Sequence, residues 1–241
     1  YPLFVVVGFL SFILILLPVL VLFYTSMLPY SMVPSAKAFS MMSWDNWVGV
    51  LRDPISLLSL KNSLFLGVVG ATLGTVLSIF VSYVIVKVRS TASGLLESLS
   101  FLSFSFPGIV IGVGFMWFFV RTPLYGTITA LLIGYIATYL PYGIRPISSA
   151  FVKIHSPLEE SSRVCGASPF YTLRRIVIPL LIPGIVSGWI LMASMFLREL
   201  TLSVVLSRPG TEVLAVQILH FAEDGLWGEL SALGIIMIGI S

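Results

Sequence analysis

The sequence predicts an all-α chain folded as a polytopic transmembrane helical bundle of about six spans, and three observations carry that prediction. Of its 241 residues, 58% are hydrophobic and 10% are Asp, Glu, Lys or Arg, against about 25% charged in a soluble domain. Residues 1–36, 63–86, 98–120, 122–144 and 176–197 hold no charge, and each run supplies the roughly 20 apolar residues that a bilayer-crossing helix requires. A sixth apolar run opens after Glu229 and reaches Ser241.

Taken in order, the first run is longer than the apolar centre of a signal peptide, and no small-residue cleavage pattern follows it, so it reads as a retained span. The chain lacks an initiating Met and ends within an apolar run, so it is expected to be part of a longer polypeptide. Residues 1–57 are expected to hold the first span with a periplasmic or interfacial segment, and 58–241 a core transmembrane domain. In the loop between them, Trp44-Asp45-Asn46-Trp47 alternates aromatic and polar groups. That pattern suits an interfacial helix or cap, because Trp favours the water boundary. The connector after the second span carries Lys87 and Arg89, and the one after the fourth carries Lys153, Arg163, Arg174 and Arg175. Placed on one side, they make that side cytoplasmic, with Lys37, Arg52, Lys61, Arg121 and Arg208 opposite. The single cysteine, Cys165, excludes an internal disulfide and supplies no metal framework. A net charge of +3 without any basic-aromatic run points to a lipid bilayer and away from nucleic acid.

The segment from Leu158 to Pro179 is the polar exception between two apolar runs. Just ahead of it, Ser156 is a good N-cap, Pro157 fits a first helical turn and Glu159 completes a capping box. Gly166 can adopt the left-handed conformation that closes the helix near Cys165. Ser168-Pro169 repeats the start signal, so a second helix is expected through Arg174 and Arg175, with Pro179 and Pro183 kinking the start of the fifth span. The helix–turn–helix would expose Glu159, Glu160 and Arg163 beside Leu158, Val164, Phe170 and Leu173. Such a surface suits a protein partner, and it equally suits an amphipathic connector packed beneath its own bundle.

Glu160-Ser161-Ser162, three residues, Gly166, nine residues, then Ile176-Val177-Ile178-Pro179 resembles the signature of the membrane subunits of binding-protein-dependent ABC importers. Ser replaces Ala twice and Ile replaces Leu once. Leu60-Lys61-Asn62-Ser63-Leu64, Phe106-Pro107-Gly108-Ile109-Val110 and Leu140-Pro141-Tyr142-Gly143-Ile144-Arg145 resemble further stretches of that family. Arg198-Glu199-Leu200 with Leu206-Ser207-Arg208-Pro209-Gly210 is most similar to the ferric-iron importers, which are often fused two-half permeases.

The resemblance implies a type I ABC importer permease fold in a bacterial or archaeal plasma membrane. It implies cytoplasmic coupling helices at about 155–178 that contact a dimer of ATP-binding subunits through Glu159, Glu160, Ser161, Ser162, Arg163, Gly166, Ala167 and Phe170. The further partners implied are a second permease half and an extracellular or periplasmic substrate-binding protein. ATP and Mg would be used by the ATPase, and this chain itself would bind no cofactor and catalyse no reaction. Ferric iron is the first substrate implied, with polyamine, sulfate, thiamine and phosphonate as alternatives. Pro107 and Gly108 break the third span and would line a cavity or serve close helix packing. Arg198 and Glu199, at the far end of the fifth span, are expected to form an interfacial ion pair that anchors a helix end, or a gate or dock for the substrate-binding protein. His155 and His220 fall in expected loops and are not read as ligands. An intramembrane hydrolase is disfavoured because the serines within spans lack a His or Lys partner. A secondary transporter or channel would carry charged coupling sites near the midplane, and the spans hold few.

Overall fold

The computed structural model describes residues 2–88, 90–154 and 156–241, without the side chains of Pro2, Leu3, Ser11, Ile15, Ser156, Pro157, Glu159, Arg163 and Pro169. Its helices are α1 (Pro2–Ser26), α2 (Ala36–Ser40), α3 (Asp45–Arg52), α4 (Pro54–Phe65), α5 (Ala71–Lys87), α6 (Thr91–Ser100) and α7 (Gly108–Phe119). They continue with α8 (Ile128–Val152), α9 (Ser156–Val164), α10 (Pro169–Thr172), α11 (Ile178–Leu197), α12 (Thr201–Leu206), α13 (Leu214–Glu223) and α14 (Trp227–Ile240). By length and composition, the helical runs Phe4–Ser26, Pro54–Lys87 and Phe170–Leu197 could each cross a membrane. Shorter apolar helices are Gly108–Phe119, Leu214–Glu223 and Trp227–Ile240.

Two expected spans differ from the charge-free runs. The run at 98–120 is broken, because Pro107 has no amide donor and holds Phe106 extended at φ −116°, ψ 141°. The run at 122–144 is displaced toward the C-terminus. Gly126 turns at φ 72° and the Thr127 side chain caps Ala130, so α8 starts at Ile128 and then passes through Pro141, Arg145 and Pro146. Its 25 residues measure about 37 Å at 1.5 Å per residue.

The described residues form two compact units, 1–63 with 208–241, and 64–207. The sequence reading placed one boundary after residue 57; in the structure the C-terminal residues from Arg208 group with the N-terminal segment. In the first unit α1 packs along α14, and α3 packs on α14 as well. The Asn46 amide donates to the carbonyls of Ser26 (2.9 Å) and Leu28 (2.7 Å), and the Trp47 indole to Ser26 Oγ at 3.0 Å. These bonds satisfy carbonyls at the end of α1 that have no partner within the helix. Val50, Leu214, Ala232 and Leu233 form the core. Ser63 Oγ accepts the Leu214 amide at 2.8 Å, and the Asn62 amide reaches the Glu212 carbonyl at 2.9 Å.

The second unit is organised around α8, with α5 and α11 packed against it. Gly184 and Gly188, four residues apart on α11, meet the α8 backbone. A Cβ at Gly184 would lie 2.7 Å from Ala150 Cβ and 2.9 Å from the Pro146 carbonyl, and one at Gly188 3.1 Å from the Gly143 carbonyl. Small residues at this spacing let two backbones approach closely, which dispersion and interhelical hydrogen bonds reward where lipid removes the hydrophobic drive. Ser82 Oγ adds such a bond from α5 to the Ile144 carbonyl of α8 at 3.2 Å. Outward faces carry Phe80, Trp117 and Phe118, each largely exposed, as helices meant for an apolar surrounding do.

Gly184→Val is expected to force α8 and α11 apart, at a cost of about 1–3 kcal/mol. Thermal unfolding in detergent would show it as a lowered midpoint. Gly114→Ala, at a position where a Cβ meets nothing within 4 Å, should leave the midpoint unchanged.

Candidate functional site

The segment from Ser156 to Val177 follows α8 and leads into α11. Its first helix, α9, closes by a Schellman arrangement: the Ala167 amide donates to the Ser162 carbonyl at 3.1 Å, with Gly166 at φ +83° between them. A side chain at that φ is strained, and glycine is not. Ser168 then opens α10. Its hydroxyl accepts the Tyr171 amide at 3.2 Å, and its carbonyl accepts the Thr172 amide at 3.0 Å. The two short helices are joined by their own side chains, because Ser162 Oγ and Thr172 Oγ1 lie 2.8 Å apart and hydrogen-bond. A π-helical turn over Leu173–Val177 carries the chain into α11 without a break.

The base of this segment is held by a buried apolar cluster of Ile147, Phe151, Ile154, Val177 and Leu181, with Ile79 and Val86 of α5 packed on it. Lys87 Nζ donates to the Ile154 carbonyl at 3.2 Å, so the ends of α5 and α8 lie at one level. The far side of the segment stays open: Glu160, Ser161, Cys165 and Gly166 are exposed, as are Val164 and Phe170, by 88% and 69%. Ser162 and Ala167 are half-buried. Glu159 and Arg163 belong to α9, and their side chains lie outside the described residues, as does the capping proposed for Ser156 and Glu159.

The four residues assigned to a path or gate separate into different roles. Pro107 precedes α7, and Gly108 packs on α12, where an added Cβ would lie 3.3 Å from Thr201 Cβ. Arg198 is exposed, whereas Glu199 is buried. The Glu199 carboxyl accepts the Tyr139 hydroxyl on one oxygen and the Leu202 amide on the other, the latter at 2.6 Å. Tyr135 hydrogen-bonds Ser203 Oγ beside it. The carboxyl thus fixes the start of α12 to α8, which replaces the expected pairing of Arg198 with Glu199. A buried polar group of this kind is tolerable only when hydrogen-bonded.

The sequence reading assigned no role to Tyr135, Tyr139 or Thr172. Tyr135 and Tyr139 stand four residues apart and therefore share one face of α8, a signal that was available. Thr172 stands four residues after Ser168, where its hydroxyl reaches back to the Ser168 carbonyl at 3.2 Å. His220, expected in a loop, is exposed on α13. Arg145 lies within α8 rather than beyond its end.

Residues 70–240 match the model of the binding-protein-dependent transport system inner membrane component family. The chain belongs to that family. It is 29% identical over 216 residues to the trehalose transport system permease protein SugB of Mycobacterium tuberculosis, covering 89% of this chain and 79% of that one. It is 26% identical over 199 residues to the spermidine/putrescine transport system permease protein PotC of Haemophilus influenzae, covering 83% and 77%. To the ferric transport system permease protein FbpB of Actinobacillus pleuropneumoniae it is 30% identical over 185 residues, covering 75% of this chain and 26% of that one. The fold matches a chain of the bacterial alginate ABC transporter solved in complex with an alginate pentasaccharide-bound periplasmic protein. There the TM-score is 0.75 at 16% identity, covering 98% of this chain and 89% of that chain. The fold is that of a type I ABC importer permease, and the family member is a transport subunit. Ferric systems are one of several kinds among the relatives, beside sugar and polyamine systems.

Tyr139→Phe would leave the Glu199 carboxyl without one of its donors. It is expected to destabilise the protein by about 1–3 kcal/mol, read as a lower unfolding midpoint in detergent, whereas Tyr142→Phe should have little effect.

Proposed function

We propose that this family member receives the stroke of a cytoplasmic ATPase through residues 156–177 and converts it into opening and closing of its spans around a solute delivered by a periplasmic or extracellular binding protein. The observation that supports this most is the construction of the segment. Two short helices carry an exposed mixed face of Glu160, Val164 and Phe170, are joined by the Ser162–Thr172 hydrogen bond and run through a π-helical turn into α11. A capped and cross-bonded element passes a displacement on, where a loose loop would absorb it. The basic residues Lys87, Lys153, Arg174 and Arg175 support an inward position for this end by the charge rule. The alginate transporter that shares the fold was solved with a periplasmic protein, which supports a binding protein as partner here.

A second copy of such a bundle, either another chain or a fused half, completes the permease in this reading, and ATP with Mg belongs to the ATPase. For the solute, ferric iron rests on the resemblance of Arg198-Glu199-Leu200 and the residues after it. Trehalose and polyamine relatives support those solutes equally. Glu199 is already engaged by Tyr139 and Leu202, so its carboxyl adds no support to a metal cargo.

Gly166→Val, which places a β-branched residue at φ +83°, tests the coupling role. In proteoliposomes holding the permease, its ATPase and its binding protein, stimulated ATP hydrolysis and uptake should both fall at least tenfold, with the permease still inserted. Uptake and hydrolysis at the native rate would refute the role given to the turn.

A further inference from the structure

Arg145 is a charged side chain within an apolar helix that the proposed function does not use. It lies on α8 seven residues before Val152, about 10 Å from that end of the helix, with apolar helix on either side. Its guanidinium carbon sits 5.3 Å from the centre of the Phe101 ring and 5.6 Å from that of Phe104. Phe104 in turn packs edge-on against Tyr142 at 5.2 Å. Glu97, on the sixth turn-position after the start of α6, faces the same cavity of about 350 Å³, together with Ile85, Ile144 and Ser148. That volume falls within the range of about 300–1,000 Å³ common to small-molecule sites.

The two charges share this cavity without bonding one another: among the described residues neither the guanidinium nor the carboxylate has an ion-pair partner. The Ser148 hydroxyl is buried and also lacks a partner. Both Arg145 and Glu97 are exposed at this cavity, and a charged side chain within an apolar helix that faces a cavity is a candidate for a solute route. Packed against two rings, the guanidinium is oriented by cation–π contact, and its N–H edges are left to donate. The Glu97 carboxylate lines the same cavity as an acceptor.

A ligand for this site must accept from Arg145 and donate to Glu97 while laying apolar surface on aromatic rings. A polyamine can donate to Glu97 but is repelled by Arg145. A ferric ion seeks several hard oxygen ligands and finds one carboxylate beside a cation. A mineral anion suits Arg145 and is repelled by Glu97. A zwitterion satisfies both charges, and one with a quaternary ammonium also uses the ring faces, so glycine betaine is the competitor that the test must separate. A polyhydroxylated solute uses every group: its hydroxyls accept from Arg145, donate to Glu97 and bond Ser148, and its C–H face rests on Phe101.

We infer that this cavity is a solute subsite on the inner part of the translocation route and that the cargo is an uncharged polyhydroxylated compound of the oligosaccharide class. The inference rests on the proposed permease role and on the inward placement of residues 156–177. The test uses the full complex in proteoliposomes with its binding protein, offered radiolabelled trehalose, maltose and raffinose, and in parallel spermidine, ferric citrate and glycine betaine. Uptake of at least one sugar and of none of the other three is expected. Arg145→Gln and Glu97→Gln should each lower that uptake at least tenfold, with Arg145→Lys intermediate. Hydrolysis stimulated by the loaded binding protein should stay within twofold of native in all three, which shows that the variants fold and couple. Uptake of spermidine, iron or the zwitterion, uptake of no sugar, or sugar uptake unchanged in both Gln variants would overturn the inference. Failure of the binding protein to stimulate hydrolysis in the native complex would instead overturn the permease role.

Discussion

The close approach of α8 and α11 is the constraint on which the rest of the second unit depends. Gly184 and Gly188 bring the α11 backbone against Gly143, Pro146 and Ile147, a distance at which a side chain at Gly184 would clash and one at Gly188 would crowd. Where the surrounding solvent is hydrocarbon, burying leucine against leucine gains little, and packing contacts with interhelical hydrogen bonds must supply the affinity. With α8 and α11 in backbone contact and α5 laid against both, the three helices act as one stiff body. A displacement applied at one end of that body reaches the other.

Its two ends are finished differently. At the end bearing α9 and α10, apolar side chains close the bundle: Ile147, Phe151, Ile154, Val177 and Leu181 lock α8 to the start of α11. The short helices beyond this plug keep an open face. At the other end the closure is polar, because the Glu199 carboxyl is held by Tyr139 and by the Leu202 amide. That carboxyl sets α12 against α8, and α12 in turn receives α7 at Gly108 and Gly112. The segment after Pro107 is thus positioned by a single buried acid four helices further along the chain. An apolar plug at one end and a hydrogen-bonded acid at the other keep the body rigid while leaving different surfaces for partners.

Much of this architecture is legible in the residues, and the reasons differ from place to place. Gly166 ahead of the Ser168 start signal identifies the α9–α10 turn, since a left-handed glycine and a serine cap are local chemistry. The helix breaks at Pro107 for an equally local reason. The role of Glu199 was not legible, because a carboxyl beside Arg198 reads as one partner of a surface ion pair. Only the fold shows that Tyr139, sixty residues earlier, reaches it. Arg145 was passed over because charge was taken as the end of a span, whereas α8 continues seven residues beyond it and turns the guanidinium onto Phe101 and Phe104. The grouping of residues 208–241 with the N-terminal segment depends on pairs such as Ser63 with Leu214, and no composition change marks it. Local conformational signals survive reading in one dimension, while long-range polar contacts do not.

The claim that residues 156–177 meet the ATPase is tested most directly by contact. A photo-reactive benzoylphenylalanine in place of Phe170, which is 69% exposed, would be irradiated in membranes containing the whole transporter. The account predicts a covalent adduct with the ATPase subunit whose yield changes when ATP is bound and trapped. An adduct no more abundant than one from the same probe at Val33, on the loop after α1, would contradict it.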